Sequence, residues 1–191
     1  LMDVALYDRV EVWRGPAGLL EGAGEPSGTI NLARKRAYAG EATRVHAQVG
    51  SWNKRRVEAD IHRTVTEDGR LSARLVAAWD DRDSFVDEVY LRRNTVYGTL
   101  EYDFSPSTTL SVGATEQRGS SLSFAGLPLL ADGRNPDLDR STFLGSIHGK
   151  KDDYATRYFA ELEHQLDGGG KFKLSANQFL RGTEFDRYWS N

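Results

Sequence analysis

TVYGTLEYDF, residues 95–104, alternates without a break: Val96, Gly98, Leu100, Tyr102 and Phe104 against Thr95, Tyr97, Thr99, Glu101 and Asp103. Successive side chains of a strand point to opposite faces, so this run predicts a strand with one apolar and one polar face. The same period recurs on both sides of it. Upstream, Thr43, Val45, Ala47 and Val49 alternate with Arg44, His46 and Gln48, and Val57, Ala59 and Ile61 with Arg56, Glu58, Asp60 and His62. Leu71, Ala73, Leu75, Ala77 and Trp79 then oppose Ser72, Arg74 and Asp80. Downstream, the pattern returns at Leu110, Val112 and Ala114, at Tyr158, Ala160 and Leu162, and at Phe172, Leu174 and Ala176. About seven strands follow from this periodicity, with no amphipathic helix among them.

The connections also alternate. Short ones fall at Glu67-Asp68-Gly69, Ser105-Pro106-Ser107 and Asp167-Gly168-Gly169-Gly170, all hairpin-turn chemistry. Longer ones cover roughly 80–94 and 119–153, and only Ser51-Trp52-Asn53 is short where a long loop is due. Short turns at one end, long loops at the other and strands of about ten residues are the layout of an outer-membrane barrel. A soluble antiparallel sandwich alternates in the same way. Charge along the polar faces and aromatics near the strand ends (Trp79, Tyr102, Phe104, Tyr158, Phe172) weigh toward the barrel.

Composition narrows the functions. The 191 residues carry a formal net charge of -3, which gives no electrostatic case for nucleic acid. The one basic cluster, Arg34-Lys35-Arg36, reads as a solvated junction. No apolar run approaches the roughly 18 residues of a membrane helix, which leaves a barrel open. Cysteine is absent, so there is no disulfide, thiolate nucleophile or cysteine-ligated metal. The four histidines (His46, His62, His148, His164) lack metal-ligand spacing, and no Ser-His-Asp arrangement is evident. Parity puts His46 and His62 on the polar face. A start at Leu1 and a close at Tyr188-Trp189-Ser190-Asn191 read as a piece of a longer chain.

One stretch stands outside the alternation: RVEVWRGPAGLLEGAGEPSGTINLARKR, residues 9–36. Its glycines resemble a phosphate cradle, but no lysine follows them and no crossover helix is available. Backbone geometry is the better reading. A strand from Val10 to Trp13, a Gly15-Pro16 turn, a short helical piece around Ala17 to Leu20, a glycine loop and a strand from Thr29 to Leu32 make a compact plate.

This stretch resembles the C-terminal end of the plug domain of TonB-dependent outer-membrane receptors, in the ferric-siderophore branch. The resemblance rests on Arg9, Val10, Glu11, Val12, Arg14, Gly15, Pro16, Leu20, Gly22, Gly24, Pro26, Gly28, Ile30, Asn31 and Lys35. Glu21, Trp13 and Ser27 depart from the family pattern. The resemblance implies an all-β membrane fold: a 22-stranded antiparallel transmembrane β-barrel filled by a mixed α/β plug. Residues 1–36 would be the last part of the plug and 37–191 the first seven or so barrel strands. It also implies a bacterial outer-membrane protein in contact with lipid, not an enzyme and without a cofactor. Iron would arrive already chelated, as a ferric siderophore. Uptake would be driven by a TonB-type energy-coupling complex through an N-terminal segment upstream of this stretch. A siderophore-sensing transducer with the same barrel is a second reading, and a soluble or surface sandwich that binds a ligand is a third. Heme, cobalamin and carbohydrate receptors share the architecture.

Under this reading Arg44, His46, Glu58, Asp60, Arg74, Glu101, Glu161 and Glu163 line the lumen wall. Glu11 and Arg14 are the plug charges expected to meet it through charge-assisted hydrogen bonds. Arg14→Ala is then expected to loosen the plug and make the receptor leaky to small solutes. Aromatics and arginines near the long loops suit a ferric chelate: Trp52, Phe85, Tyr90 and Phe124, with Arg82 and Arg118 as anion partners. Seven strands leave open edges, so this stretch alone is not expected to fold stably in water.

Overall fold

A computed structural model describes residues 3–14 and 28–186. A 3₁₀ turn at Val4–Leu6 leads into β1 (Tyr7–Arg14), which pairs antiparallel with β2 (Gly28–Arg34) as a two-stranded ribbon. Val12 stands opposite Ile30 and Arg14 opposite Gly28. Gly28 has φ +140, and a Cβ there would meet the Trp13 carbonyl oxygen at 2.5 Å, so only glycine lets the ribbon start at this point. The expected Gly15-Pro16 turn, the helical piece over 17–20 and the glycine loop lie outside the described residues.

The alternating segments then pair in the order in which they occur. β3 (Glu41–Val49), β4 (Arg55–Thr64), β5 (Leu71–Asp83), β6 (Tyr90–Ser105), β7 (Thr108–Leu122), β8 (Lys151–Gln165) and β9 (Lys171–Phe185) form one seven-stranded antiparallel sheet. The strands run further than the apolar alternation suggests. The long connections are 84–89 and 123–150, shorter than the expected 80–94 and 119–153. Charged cross-strand pairs continue the ladder where the apolar residues stop: Arg93 donates to Asp80 at 3.1 Å and Arg92 to Asp81 at 3.2 Å.

The sheet inverts the usual rule for a soluble protein. Arg74, Val76, Ala78 and Asp80 of β5 and Thr95, Tyr97, Thr99 and Glu101 of β6 are buried on one face. On the other face Leu75, Trp79, Val96, Leu100, Tyr158 and Leu174 are 40–61% exposed. A continuous bare apolar face beside a covered charged one suits lipid on the outside and a filled lumen inside. Among the described residues no second sheet packs on the apolar side, which removes the sandwich reading. No helix among them is long and apolar enough to cross a membrane. β5 to β9, at 13–16 residues, exceed the about 9–11 that a tilted strand needs to cross. The surplus lies at the loop end, where the outward face turns polar with Asp81, Arg92, Asn94, Glu116 and Arg118.

The N-terminal segment packs on the charged face. Ala5 and Leu6 join Val76, Ala78, Tyr97 and Phe159 in the buried apolar cluster. The Lys35 N–H donates to the Leu6 carbonyl at 3.0 Å, tying the two ends of the ribbon together at its base. β3 and β9 are the two edges of the sheet.

Candidate functional site on the charged face and its rim

From the end of β2 the chain crosses the sheet to reach β3, and three consecutive cations meet acids on three different strands. Arg34 donates to Glu161 of β8, and its guanidinium carbon lies 4.1 Å from the centre of the Phe159 ring. Lys35 donates to Asp60 of β4 at 2.8 Å. Arg36 donates to Glu101 of β6 at 2.8 and 3.0 Å and to Glu163 of β8 at 2.9 Å. Backbone groups join in: the Ala37 N–H donates to Glu101 at 2.9 Å, Arg74 to the Arg36 carbonyl at 2.9 Å and the Tyr97 hydroxyl to the Lys35 carbonyl at 2.5 Å. The hydrogen bond to Glu101 raises the Arg36 guanidinium above its ordinary pKa.

Arg34-Lys35-Arg36 is therefore not a solvated junction. The sheet carries Asp60, Glu101, Glu161 and Glu163 on one covered face, and a covered carboxylate needs a cation beside it. Arg74, Lys171 and Lys173 of the sheet meet part of that need, and the three residues after β2 meet the rest. A glycine makes the floor. A Cβ at Gly113 would come within 2.5 Å of the Phe159 ring, which stacks at 12° on Tyr97 with centroids 6.3 Å apart.

A second dock lies nearer the loop end. The Asp3 carboxylate, 1% exposed, accepts from both terminal nitrogens of Arg56 at 3.0 and 2.7 Å and from the Ala5 N–H at 2.9 Å. Arg93 Nε stands 3.1 Å from its second oxygen. Asp80 faces the same two arginines, at 3.2 Å from Arg56 and 3.1 Å from Arg93. Burial alone would raise the Asp3 pKa. The Arg56 hydrogen bonds, the Ala5 N–H and the two positive charges outweigh it and hold the carboxyl below its ordinary value.

Among the described residues, the plug charges expected at Glu11 and Arg14 pair with no group on the seven-stranded sheet. Glu11 accepts from Arg9 at 2.6 Å and from its cross-strand neighbour Asn31 at 2.8 Å, both on its own ribbon. Those bonds, Arg9's first, lower its pKa. Arg14 ends β1 in an exposed position, and among the described residues no carboxylate pairs with it. The contacts are made instead by Asp3 and by residues 34–36. The acid-rich polar faces beside a run of three cations carried a signal for the second set. Nothing in the sequence singled out Asp3.

The ligand candidates divide. Trp52, Arg82, Phe85 and Tyr90 line one cavity of about 600 Å³ at the loop end. Trp52 and Phe85 meet edge to face with centroids 6.3 Å apart, and Arg140 stands 4.7 Å from the Phe85 ring centre. The turn beneath is strained: Trp52 and Asn53 have φ 53 and 55, held by Asn53 donating to Asp83 at 2.8 Å and by Asp83 N–H donating to the Trp52 carbonyl. Phe124 packs instead against Phe143 within 123–150, at 5.3 Å between centroids. Arg118 is 75% exposed on the outward face of β7, where it donates to Glu116 at 2.7 Å. It lines a different cavity, with Arg92, Glu116 and Asp152.

His62 is buried with its ring 4.2 Å from that of Tyr38, and His164 bonds Thr108 at 2.8 Å. Among the described residues no group of three or more His, Asp or Glu side chains is placed to hold a metal.

No family model matches the chain. The ferric-pyoverdine 358 receptor of Pseudomonas putida is 38% identical over 192 residues, covering 100% of this chain and 23% of its own length. The ferripyoverdine receptor of Pseudomonas aeruginosa is 38% identical over 187 residues, covering 95% of this chain and 23% of its own. A crystal structure of the outer-membrane ferripyoverdine receptor of Pseudomonas aeruginosa, bound to ferripyoverdine, superposes with a TM-score of 0.88 at 35% identity. That superposition covers 97% of this chain and 25% of that one. The chain thus spans about a quarter of the length of the relatives it matches. With sequence and fold agreeing along nearly its whole length, the chain belongs to the TonB-dependent outer-membrane receptors for ferric siderophores.

Proposed function

We propose that the complete protein imports a ferric siderophore across the outer membrane in an energy-coupled step. Residues 1–36 are the last part of its plug, and 37–191 are the first strands of a 22-stranded barrel whose remaining strands pair with the open edges of β3 and β9. A TonB-type complex pulls on a segment upstream of this stretch. Because the relatives are ferripyoverdine receptors, ferripyoverdine is the first ligand to test. The iron is cargo, held by the chelate rather than by side chains of this chain.

The observation that carries this reading is the pairing of the two faces. Four of the acids and two of the arginines on the charged face pair with the chain's own N-terminal segment, while the apolar face is bare. A plugged barrel in lipid needs both features. The rim cavity lined by Trp52, Arg82, Phe85 and Tyr90 lies at the end where a chelate would arrive, and aromatic faces beside the cations Lys54 and Arg82 suit an anionic ligand.

The test is uptake of radioactive iron by a bacterium lacking its own siderophore receptors and expressing the complete gene. Ferripyoverdine-dependent accumulation that stops when the proton gradient is collapsed is the expected result. No accumulation from any of a panel of ferric siderophores would overturn the reading. Trp52→Ala and Phe85→Ala are expected to weaken ligand binding, and unchanged affinity in both would remove the rim from the site.

A further inference from the structure

We propose that Arg56 and Arg93 form a carboxylate-binding site on the charged face, filled here by the chain's own Asp3 and open to a carboxylate of the passing chelate when residues 3–6 withdraw. Capture of a chelate carboxylate rests on the uptake reading above; the site itself does not.

The geometry is that of a built anion site. Arg56 grips both oxygens of the Asp3 carboxylate through its two terminal nitrogens, at 2.7 and 3.0 Å, the fork geometry that guanidinium offers to carboxylate. Arg93, two strands away on β6, approaches the second oxygen from the side at 3.1 Å. Neither arginine depends on Asp3 for its orientation. Asp80, on the strand between them, holds both, and Arg56 Nε donates to Glu58 at 2.5 Å. Withdrawal of Asp3 therefore leaves two aimed guanidinium groups on rigid strands, the preorganisation that a binding site requires.

Two further features suit an exchangeable occupant. Asp3 is held by the two arginines, with Ala5 and Leu6 buried beside it, so its withdrawal leaves the β1–β2 ladder intact and breaks one backbone bond, from the Lys35 N–H to the Leu6 carbonyl. Thr95 lies two residues from Arg93 on the same face, and its buried hydroxyl has no partner among the described residues, which leaves a hydrogen bond to spare. The site also lies on the ligand's path. Arg82, which lines the rim cavity, is two residues from Asp80 on the same face of β5.

Chemical rescue with formate, using the complete receptor in detergent, tests the site without any siderophore. Asp3→Ala opens it while leaving both arginines in place. Formate, compared with chloride at equal ionic strength and with neutral formamide, is expected to raise the Tm of Asp3→Ala in a saturable way and to leave the wild type unmoved. Adding Arg56→Met should abolish the shift. An equal formate response in wild type and Asp3→Ala, or one that survives Arg56→Met, would overturn the proposal. If Asp3→Ala does not fold, thiol labelling of Ala5→Cys in otherwise native receptor replaces it: formate competing with Asp3 should speed labelling and formamide should not, and no difference between them would overturn the proposal. A positive result together with absent iron uptake would leave the site standing and remove the uptake reading.

Discussion

The N-terminal segment is held to the sheet at two places, and they are built differently. At residues 34–37 three cations and the Ala37 N–H meet four acids on three strands, two carbonyls accept from Arg74 and Tyr97, and Arg34 lies over the Phe159 ring. At residues 3–6 a single carboxylate, the buried Ala5 and Leu6 side chains and one backbone bond from Lys35 make the attachment. Hydrogen bonds involving charged groups contribute about 1.5–3 kcal/mol each. The clamp after β2 makes seven such interactions to the four of the Asp3 dock, so it outweighs the dock by less than about two-fold once the half-exposed Arg36 is discounted. The clamp is also continuous with β3, so its release would disturb the sheet itself. The comparison teaches where motion can start: the base of β2 is a fixed point, and the Asp3 end is the part that can leave.

The largest test strikes the clamp. Glu101 takes two bonds from Arg36 and one from the Ala37 N–H, and Glu101→Ala removes all three, leaving Arg36 with Glu163 and Ser111. The expected cost is about 3–5 kcal/mol, read as loss of stability of the complete receptor in chemical denaturation. Next is the floor. Gly113→Ala drives a methyl group into the Gly98 carbonyl oxygen and the Phe159 ring, and displaces the surface on which Arg34 lies, at about 1–3 kcal/mol by the same assay. Either substitution costing no more than Asp3→Asn would break the ranking of the two attachments.

Asp3→Asn keeps the side chain's shape and removes its charge. Global stability should move little, because Asp80 and Glu58 still face the arginines. Local opening should rise about tenfold, seen as faster labelling of Ala5→Cys, for a loss near 1.4 kcal/mol. Acid should do the same to the wild type. A carboxyl held below its ordinary value stabilises the dock at pH above that value and ceases to as pH falls through the depressed one. Hydrogen exchange over residues 3–6 should therefore differ between wild type and Asp3→Asn at neutral pH and converge in strong acid. The smallest effect belongs to the outward surface: Arg118→Ala removes an exposed pair and should change stability by less than about 1 kcal/mol.

Much of the fold is legible in the sequence because alternation survives wherever one face meets lipid and the other meets charge. It fades at the loop end of β5 and β6, where Asp81 and Arg92 face outward above the apolar band and only their cross-strand pairing shows that the strand continues. The wall acids are legible for the same reason: Asp60, Glu101, Glu161 and Glu163 all fall on the polar parity and all take part in the clamp. Their partners are not. Arg34, Lys35 and Arg36 are consecutive, and parity would send Lys35 to the opposite side. Only a segment that has left its ribbon and runs across the sheet can turn all three toward acids. Glu11 looks available for the wall until the ribbon's own register places Asn31 beside it. Trp52 and Phe85 are far apart in sequence and meet only because two hairpins end at the same rim.

Hydrogen exchange of the Ala5 and Ala37 amides in one sample of the complete receptor tests the difference between the two attachments most directly. Both are bonded to carboxylates, Ala5 to Asp3 at 2.9 Å and Ala37 to Glu101 at 2.9 Å, so the comparison is like for like. The account predicts that Ala5 exchanges through a local opening, much faster than Ala37, which exchanges only when the sheet unfolds. Equal protection at the two amides, or slower exchange at Ala5, would contradict it.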